Sequence, residues 1–113
     1  MSRIYKILSR ADWMAAKASG RYRGSALDRT DGFIHFSSGA QAQETARRHF
    51  AGQDDLVVLA VEADDLGPAL RWEASRGGDL FPHLYGDLEV GLVRAVTEAP
   101  LDEAGAPALG PLV

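Results

Sequence analysis

The chain has 113 residues, 46% of them hydrophobic, with 12 Lys and Arg against 16 Asp and Glu and no cysteine. That length suits one domain with its own core, and an ordinary apolar fraction at a net charge of −4 excludes disorder for the bulk of it. The missing cysteine removes disulfides, thiolate nucleophiles and Cys-ligated zinc together.

Ile4, Tyr5, Ile7 and Leu8 predict an opening strand. Ser9-Arg-Ala-Asp12 reads as a capping box for a short helix from Trp13 to Lys17, which Gly20 ends. Residues 20–31 read as a polar loop punctuated by Gly20 and Gly24. Asp31-Gly32 is a turn signal before a short strand, Phe33-Ile34-His35-Phe36. Ser37-Ser38 closes that strand, and Ser38-Gly-Ala-Gln41 caps a helix whose Ala42, Ala46 and Phe50 share one face, with Gly52 as its C′ residue.

Leu56–Val61 is an unbroken apolar run rich in β-branched residues, the pattern of a central strand covered on both faces. Gly67-Pro68 turns the chain into a short strand at Leu70–Glu73, and Ser75–Gly78 is a flexible link. Phe81-Pro-His-Leu-Tyr-Gly86 reads as irregular, because Pro82 cannot serve a ladder on both sides. Leu88–Val96 alternates as a last strand. Residues 1–98 are therefore expected to form a single α+β domain with a largely antiparallel sheet and flanking helices. Residues 99–113, with Pro100, Pro107 and Pro111, are expected to be an extended or partly mobile tail.

No apolar run reaches membrane-spanning length and the start lacks a signal-peptide core, so the expectation is a cytoplasmic protein without membrane contact. Residues 1–50 carry nine basic against four acidic residues, and residues 51–113 carry three against twelve. The basic half can attract a phosphate-bearing ligand, or the two halves can neutralise each other on folding. The acidic total argues against non-specific nucleic-acid binding.

Dinucleotide, P-loop, zincin and nucleophile-elbow motifs are all absent, and the histidines at 35, 49 and 83 have no local metal-ligand spacing, so no metal is expected. Two clusters remain. In Asp31-Gly-Phe-Ile-His35-Phe-Ser-Ser38 a histidine stands in an apolar strand next to Ser37 and Ser38, whose hydroxyls can hold an anionic or ribose group; a core histidine beside a capping serine is the other reading. The second cluster, Trp72-Glu73 with Phe81–Gly86, gathers His83, Tyr85 and a carboxylate on irregular backbone, either as a site or as a structural plug.

Gly20-Arg-Tyr22, Asp31-Gly-Phe-Ile-His35-Phe-Ser-Ser38, the Gln41/Gln43-Glu-Thr-Ala46 helix, Asp55-Leu-Val-Val-Leu59, Trp72-Glu73 and Phe81-Pro-His-Leu-Tyr-Gly86 together resemble, over residues 3–98, a small bacterial family known as domain of unknown function 952. That family is similar in turn to the ADP-ribosyltransferase fold, a split sheet with an NAD cleft between its halves. It bears a looser likeness to RNA 2′-phosphotransferases, which share a Gly-x-x-His-x-Ser string. The resemblance implies a nucleotide-like ligand, with NAD as substrate, and ADP-ribosyl or related transfer. On that reading His35 bonds a ribose hydroxyl, and Tyr22 or Tyr85 stacks on the nicotinamide. Glu73 stabilises the oxocarbenium character that develops as the N-glycosidic bond breaks. Ser37, Ser38, Trp72 and His83 complete the expected cleft, and Glu89 is the other carboxylate on a late strand. A non-catalytic binding or structural module on the same fold, and an RNA-end-modifying enzyme, stay open beside it.

Overall fold

Local signals account for the boundaries of the opening strand, the first helix and the central strand. A computed structural model of the chain describes residues 2–112, with the backbone alone at residue 76. In chain order it contains β1 (Arg3–Ser9), α1 (Arg10–Ser19), β2 (Arg21–Tyr22), α2 (Ala26–Asp31), β3 (Ile34–His35), β4 (Ser37–Ser38) and α3 (Ala42–His49). β5 (Leu56–Glu62), β6 (Leu70–Ala74), β7 (Leu80–Leu84), β8 (Leu88–Glu89) and β9 (Val93–Glu98) follow, with 3₁₀ turns at Ala63–Ala69, Arg76–Gly78 and Val90–Leu92. The Ser9 hydroxyl accepts from the Asp12 amide, and Gly20, at φ 88°, closes α1 with its N–H on the Ala16 carbonyl.

The strands form an antiparallel four-stranded sheet in the order β4-β1-β5-β9, a three-stranded sheet β3-β7-β6 and a β2-β8 pair. This is an α+β architecture with β5 central in its sheet and buried along Leu56–Val61. One face of the four-stranded sheet, with Ile4, Leu8, Val57 and Leu59, packs on Trp13, Tyr22, Ile34, Phe36 and Leu84. The other face, with Tyr5, Ile7, Val58 and Ala60, packs on Ala42 and Ala46 of α3. Ion pairs join the basic and acidic halves: Arg3 to Glu62, Arg10 to Asp55 and Glu98, and Arg23 to Asp87.

Several expectations are corrected. Residues 20–31 are not a plain loop: they contain β2 and α2, the latter started by a complete Ser25/Asp28 capping box. The run at residues 33–36 does not stay in one sheet, for β3 pairs with β7 whereas β4 pairs with β1. Ser38 is not a helix cap but a strand residue opposite Ile4; α3 starts later, and the Gln41 side chain accepts from the Ser38 amide. Phe50, not Gly52, caps its end. The predicted last strand is interrupted by the 3₁₀ turn, so that β8 joins β2 while β9 joins β5.

A further correction concerns Phe81–Gly86, where β7 is the middle strand of its sheet despite Pro82. An extended residue aims its N–H and C=O at the same neighbour. The Pro82 carbonyl accepts from the Phe36 N–H at 3.0 Å. The bond that proline cannot make therefore falls opposite Phe36, where the chain is already leaving the sheet for β4. The tail also departs from the expected extended form. Ala99 and Leu109 are buried against α3, and the Gln43 amide donates to the Pro107 carbonyl (2.8 Å) and accepts from the Leu109 N–H (3.1 Å). No helix among the described residues is long and apolar enough to cross a membrane.

Candidate functional site

β4 is so short that it pairs only with Ile4 and Tyr5, leaving the edge of β1 from Lys6 to Ser9 without a neighbouring strand. A cavity of about 570 Å³ opens along that edge, the size of a small-molecule site. Its wall includes Lys6, Tyr22, Asp28, His35, Ser37 and His83. Its ionisable charge comes from three carboxylates, Asp12, Asp28 and Asp31, against the single ammonium of Lys6, with histidines counted neutral.

Asp28 is the centre of the polar wall and is buried. Its capping-box position on α2 aims the carboxylate inward. Oδ2 accepts from the Ser25 N–H at 2.9 Å and from Lys6 Nζ at 2.8 Å. Oδ1 accepts from the His35 N–H at 3.2 Å and faces His35 Nδ1 at 2.6 Å. Burial pushes the Asp28 carboxyl up, but the His35 hydrogen bond, the Lys6 ammonium and the Ser25 N–H outweigh it and hold the group well below the usual carboxylate range. Lys6 shares its face of β1 with Ile4 and Leu8, and burial lowers its pKa while Asp28 opposes the shift. A buried ion pair of this kind is a weak source of stability, since desolvation offsets the attraction. Its consequence here is that Asp28 stays ionised and fixed against His35.

The far nitrogen of His35, Nε2, lies 2.9 Å from Asp31 Oδ2. An ionised carboxylate only accepts hydrogen bonds, so contact with two of them suits a ring that donates from both nitrogens. Tyr22, 4% exposed, has a hydroxyl without a hydrogen-bond partner among the described residues. Burial first, then the charges of Asp28 and Asp12, push its pKa up. Ser37 donates to Thr45 Oγ1 at 2.9 Å.

A second network adjoins the first. His83 stands opposite His35 in the β3–β7 register and on the same face, with ring centroids 5.6 Å apart. Phe33 lies against both, stacked on His83 at 4.0 Å and tilted to His35 at 4.5 Å. Glu73 Oε1 lies 2.8 Å from His83 Nδ1 and accepts from the Tyr85 hydroxyl at 2.7 Å. Those two hydrogen bonds, His83 first, lower the Glu73 pKa. Arg71 sits over the Tyr85 ring at 4.9 Å.

Of the residues expected from sequence, the structure brings His35, His83, Ser37 and Tyr22 to one cavity. Glu73 and Tyr85 lie behind His83 rather than on the cavity wall, and Ser38 is off it as well. Trp72 points away: strand alternation puts it on the other face of β6 from Glu73, 41% exposed and beside Ala63 and Asp64. Glu89 is paired with Arg21 across β2-β8. Lys6 and Asp28 were not anticipated, and Asp31, which opens the first cluster, was read only as part of a turn. Two signals could have found them: a lone lysine inside the apolar run Ile4–Leu8, and the S-x-x-D box Ser25-Ala-Leu-Asp28 followed by Gly32. Among the described residues no group of three or more His, Cys, Asp or Glu has the geometry to hold a metal ion.

Residues 7–96 match the family model described as Protein of unknown function (DUF952). The crystal structure of protein CC0527 from Caulobacter crescentus is similar at 60% identity over 96% of each chain, with a TM-score of 0.94. The solution NMR structure of CC0527 is similar at 61% identity, covering 97% of this chain and 95% of that one, with a TM-score of 0.87. No curated protein matches.

Proposed function

The chain belongs to the DUF952 family, and from that premise we propose that its cavity binds a nucleotide-like ribosyl compound, NAD among them, and promotes transfer of the ribosyl group. The observation that carries this reading is the Asp28–His35 pair on the wall of an acidic cavity. When the bond between a ribose carbon and its base breaks, the bonding pair leaves with the base and positive charge develops on the sugar. Three carboxylates against one ammonium favour that charge. Asp28 aligns the His35 ring, whose Nε2, once it has left Asp31 and given its own proton to solvent, takes the proton of the attacking hydroxyl or water as the new carbon–oxygen bond forms. The same charge balance disfavours a pyrophosphate inside the cavity, so it is the base-bearing riboside end that fits. The electrostatic task assigned to Glu73 from sequence passes to Asp28 and Asp31, because Glu73 is held behind His83.

Isothermal calorimetry with NAD, ADP-ribose and nicotinamide riboside, combined with an assay for released nicotinamide, tests the reading. Saturable binding is expected, with turnover that falls about 10²–10⁴-fold in His35→Asn while the melting temperature holds. Absence of both binding and turnover with all three compounds would overturn it. A second reading, a binding module without catalysis, draws on the contact between His35 Nε2 and Asp31, which occupies the nitrogen a base needs. It predicts saturation without turnover both in the native protein and in Asp31→Ala.

A further inference from the structure

We propose that His83 is a second acid–base residue of this cavity, held by Glu73 as His35 is held by Asp28, and that the substrate is an N-riboside with a neutral base. The inference rests on the ribosyl-transfer reading above and narrows its substrate class.

The two histidines are built alike. Each lines the cavity, and each turns Nδ1 to a carboxylate, at 2.6 Å for His35 and 2.8 Å for His83. They occupy directly opposed positions in the β3–β7 register, share one face and lean on the same Phe33 ring. A ring whose Nδ1 donates to a carboxylate works through Nε2, as acceptor when neutral and as donor when protonated; on His35 that nitrogen must first leave Asp31, 2.9 Å away. Two such rings 5.6 Å apart suit a reaction in which one takes a proton while the other gives one. A purely structural task for the Glu73–His83 bond is hard to find, since β6 and β7 are already paired over five residues from Leu70–Leu84 to Ala74–Leu80. Glu73 touches the cavity only through His83, so it is a positioning residue.

The chemistry sets the substrate class. A pyridinium base departs by taking the bonding pair and becoming neutral, and needs no proton. A neutral purine departs as an anion unless it is protonated. In the reaction proposed here, water forms the new carbon–oxygen bond at the ribose carbon and the carbon–nitrogen bond breaks with its pair going to the base. The water proton passes to His35 Nε2, and the proton on His83 Nε2 passes to the base. Exchange with solvent then restores both rings. A second proton-bearing histidine has a use with such a substrate and none with NAD.

The experiment compares inosine with nicotinamide riboside on the full chain, following release of hypoxanthine and nicotinamide. The native protein should cleave inosine. His83→Gln should lower kcat on inosine about 100-fold or more and lower any cleavage of nicotinamide riboside by a much smaller factor. Glu73→Gln, as a second variant should His83→Gln fail to fold, should give a smaller loss on inosine and displace its pH–rate profile. Cleavage of nicotinamide riboside but not of inosine would overturn this proposal alone. So would an equal loss on both substrates or no loss on either. A native protein that neither binds nor cleaves either compound would overturn the ribosyl-transfer reading, and this one with it.

Discussion

Asp28 carries more of the site than any other residue, because four groups converge on its two oxygens: Lys6 Nζ, His35 Nδ1 and the amides of Ser25 and His35. Removing it strands a buried ammonium. Asp28→Ala should therefore cost about 3–5 kcal/mol, read as a lower urea midpoint at neutral pH. The sign of the pH dependence follows from the depressed pKa of this carboxyl. Its contribution to stability is fully present above the unfolded-state value of about 3.9 and is lost as pH falls through the lower folded-state value. The native protein should thus lose stability below about pH 4, and Asp28→Asn, though weaker throughout, should show a shallower acid limb in the same urea titration. Sequence made His35 conspicuous and left Asp28 inconspicuous. A histidine in an apolar strand is rare enough to notice, whereas an aspartate in a polar stretch announces nothing until its burial is known.

The polar wall depends on α2, a helix of six residues that owes its start to one box. Ser25→Ala removes the oxygen that accepts from the Asp28 amide and should cost about 0.5–2 kcal/mol in thermal or urea unfolding. The effect on the site should be larger than on the fold, since the same box sets the direction of the Asp28 carboxylate; a loss of ligand heat in calorimetry at temperatures where the variant is folded would show it. Elements with a strong local signature were legible: the apolar run of β5, the cap of α1 and the buried alanine face of α3. The strands that were misread share a cause, whereas α2 was missed despite its own capping box. β2, β3, β4 and β8 are two-residue strands whose existence depends on a partner elsewhere in the chain, and β7 keeps Pro82 only because Phe36 opposite it is departing.

At the scale of the molecule, the cavity at the free edge of β1 draws on both faces of the four-stranded sheet: Leu8, Tyr22 and Phe36 line it from one, Ile7 and Phe50 from the other. The face toward α3 also carries Ala99, Leu109 and Leu112 of the tail. Leu109 is buried there, so Leu109→Ala should cost about 2–5 kcal/mol. Ligand affinity measured on the folded variant should nevertheless stay within about twofold, as that side chain lies off the cavity wall. A parallel fall in affinity would mean that the tail shapes the site.

The amino-acid sequence alone determined the α+β character, the central strand and the two longer helices, and it singled out His35 and His83 as candidates, because caps, periodicity and odd residues in apolar runs act over a few neighbours. Tertiary structure decided which groups meet. Lys6 reaches Asp28 across 22 positions, and Glu73 turns to His83 rather than to the cavity. A buried charge must find its partner in three dimensions, and which carboxylate answers which cation is settled by the packing of strands and helices that are remote in the chain.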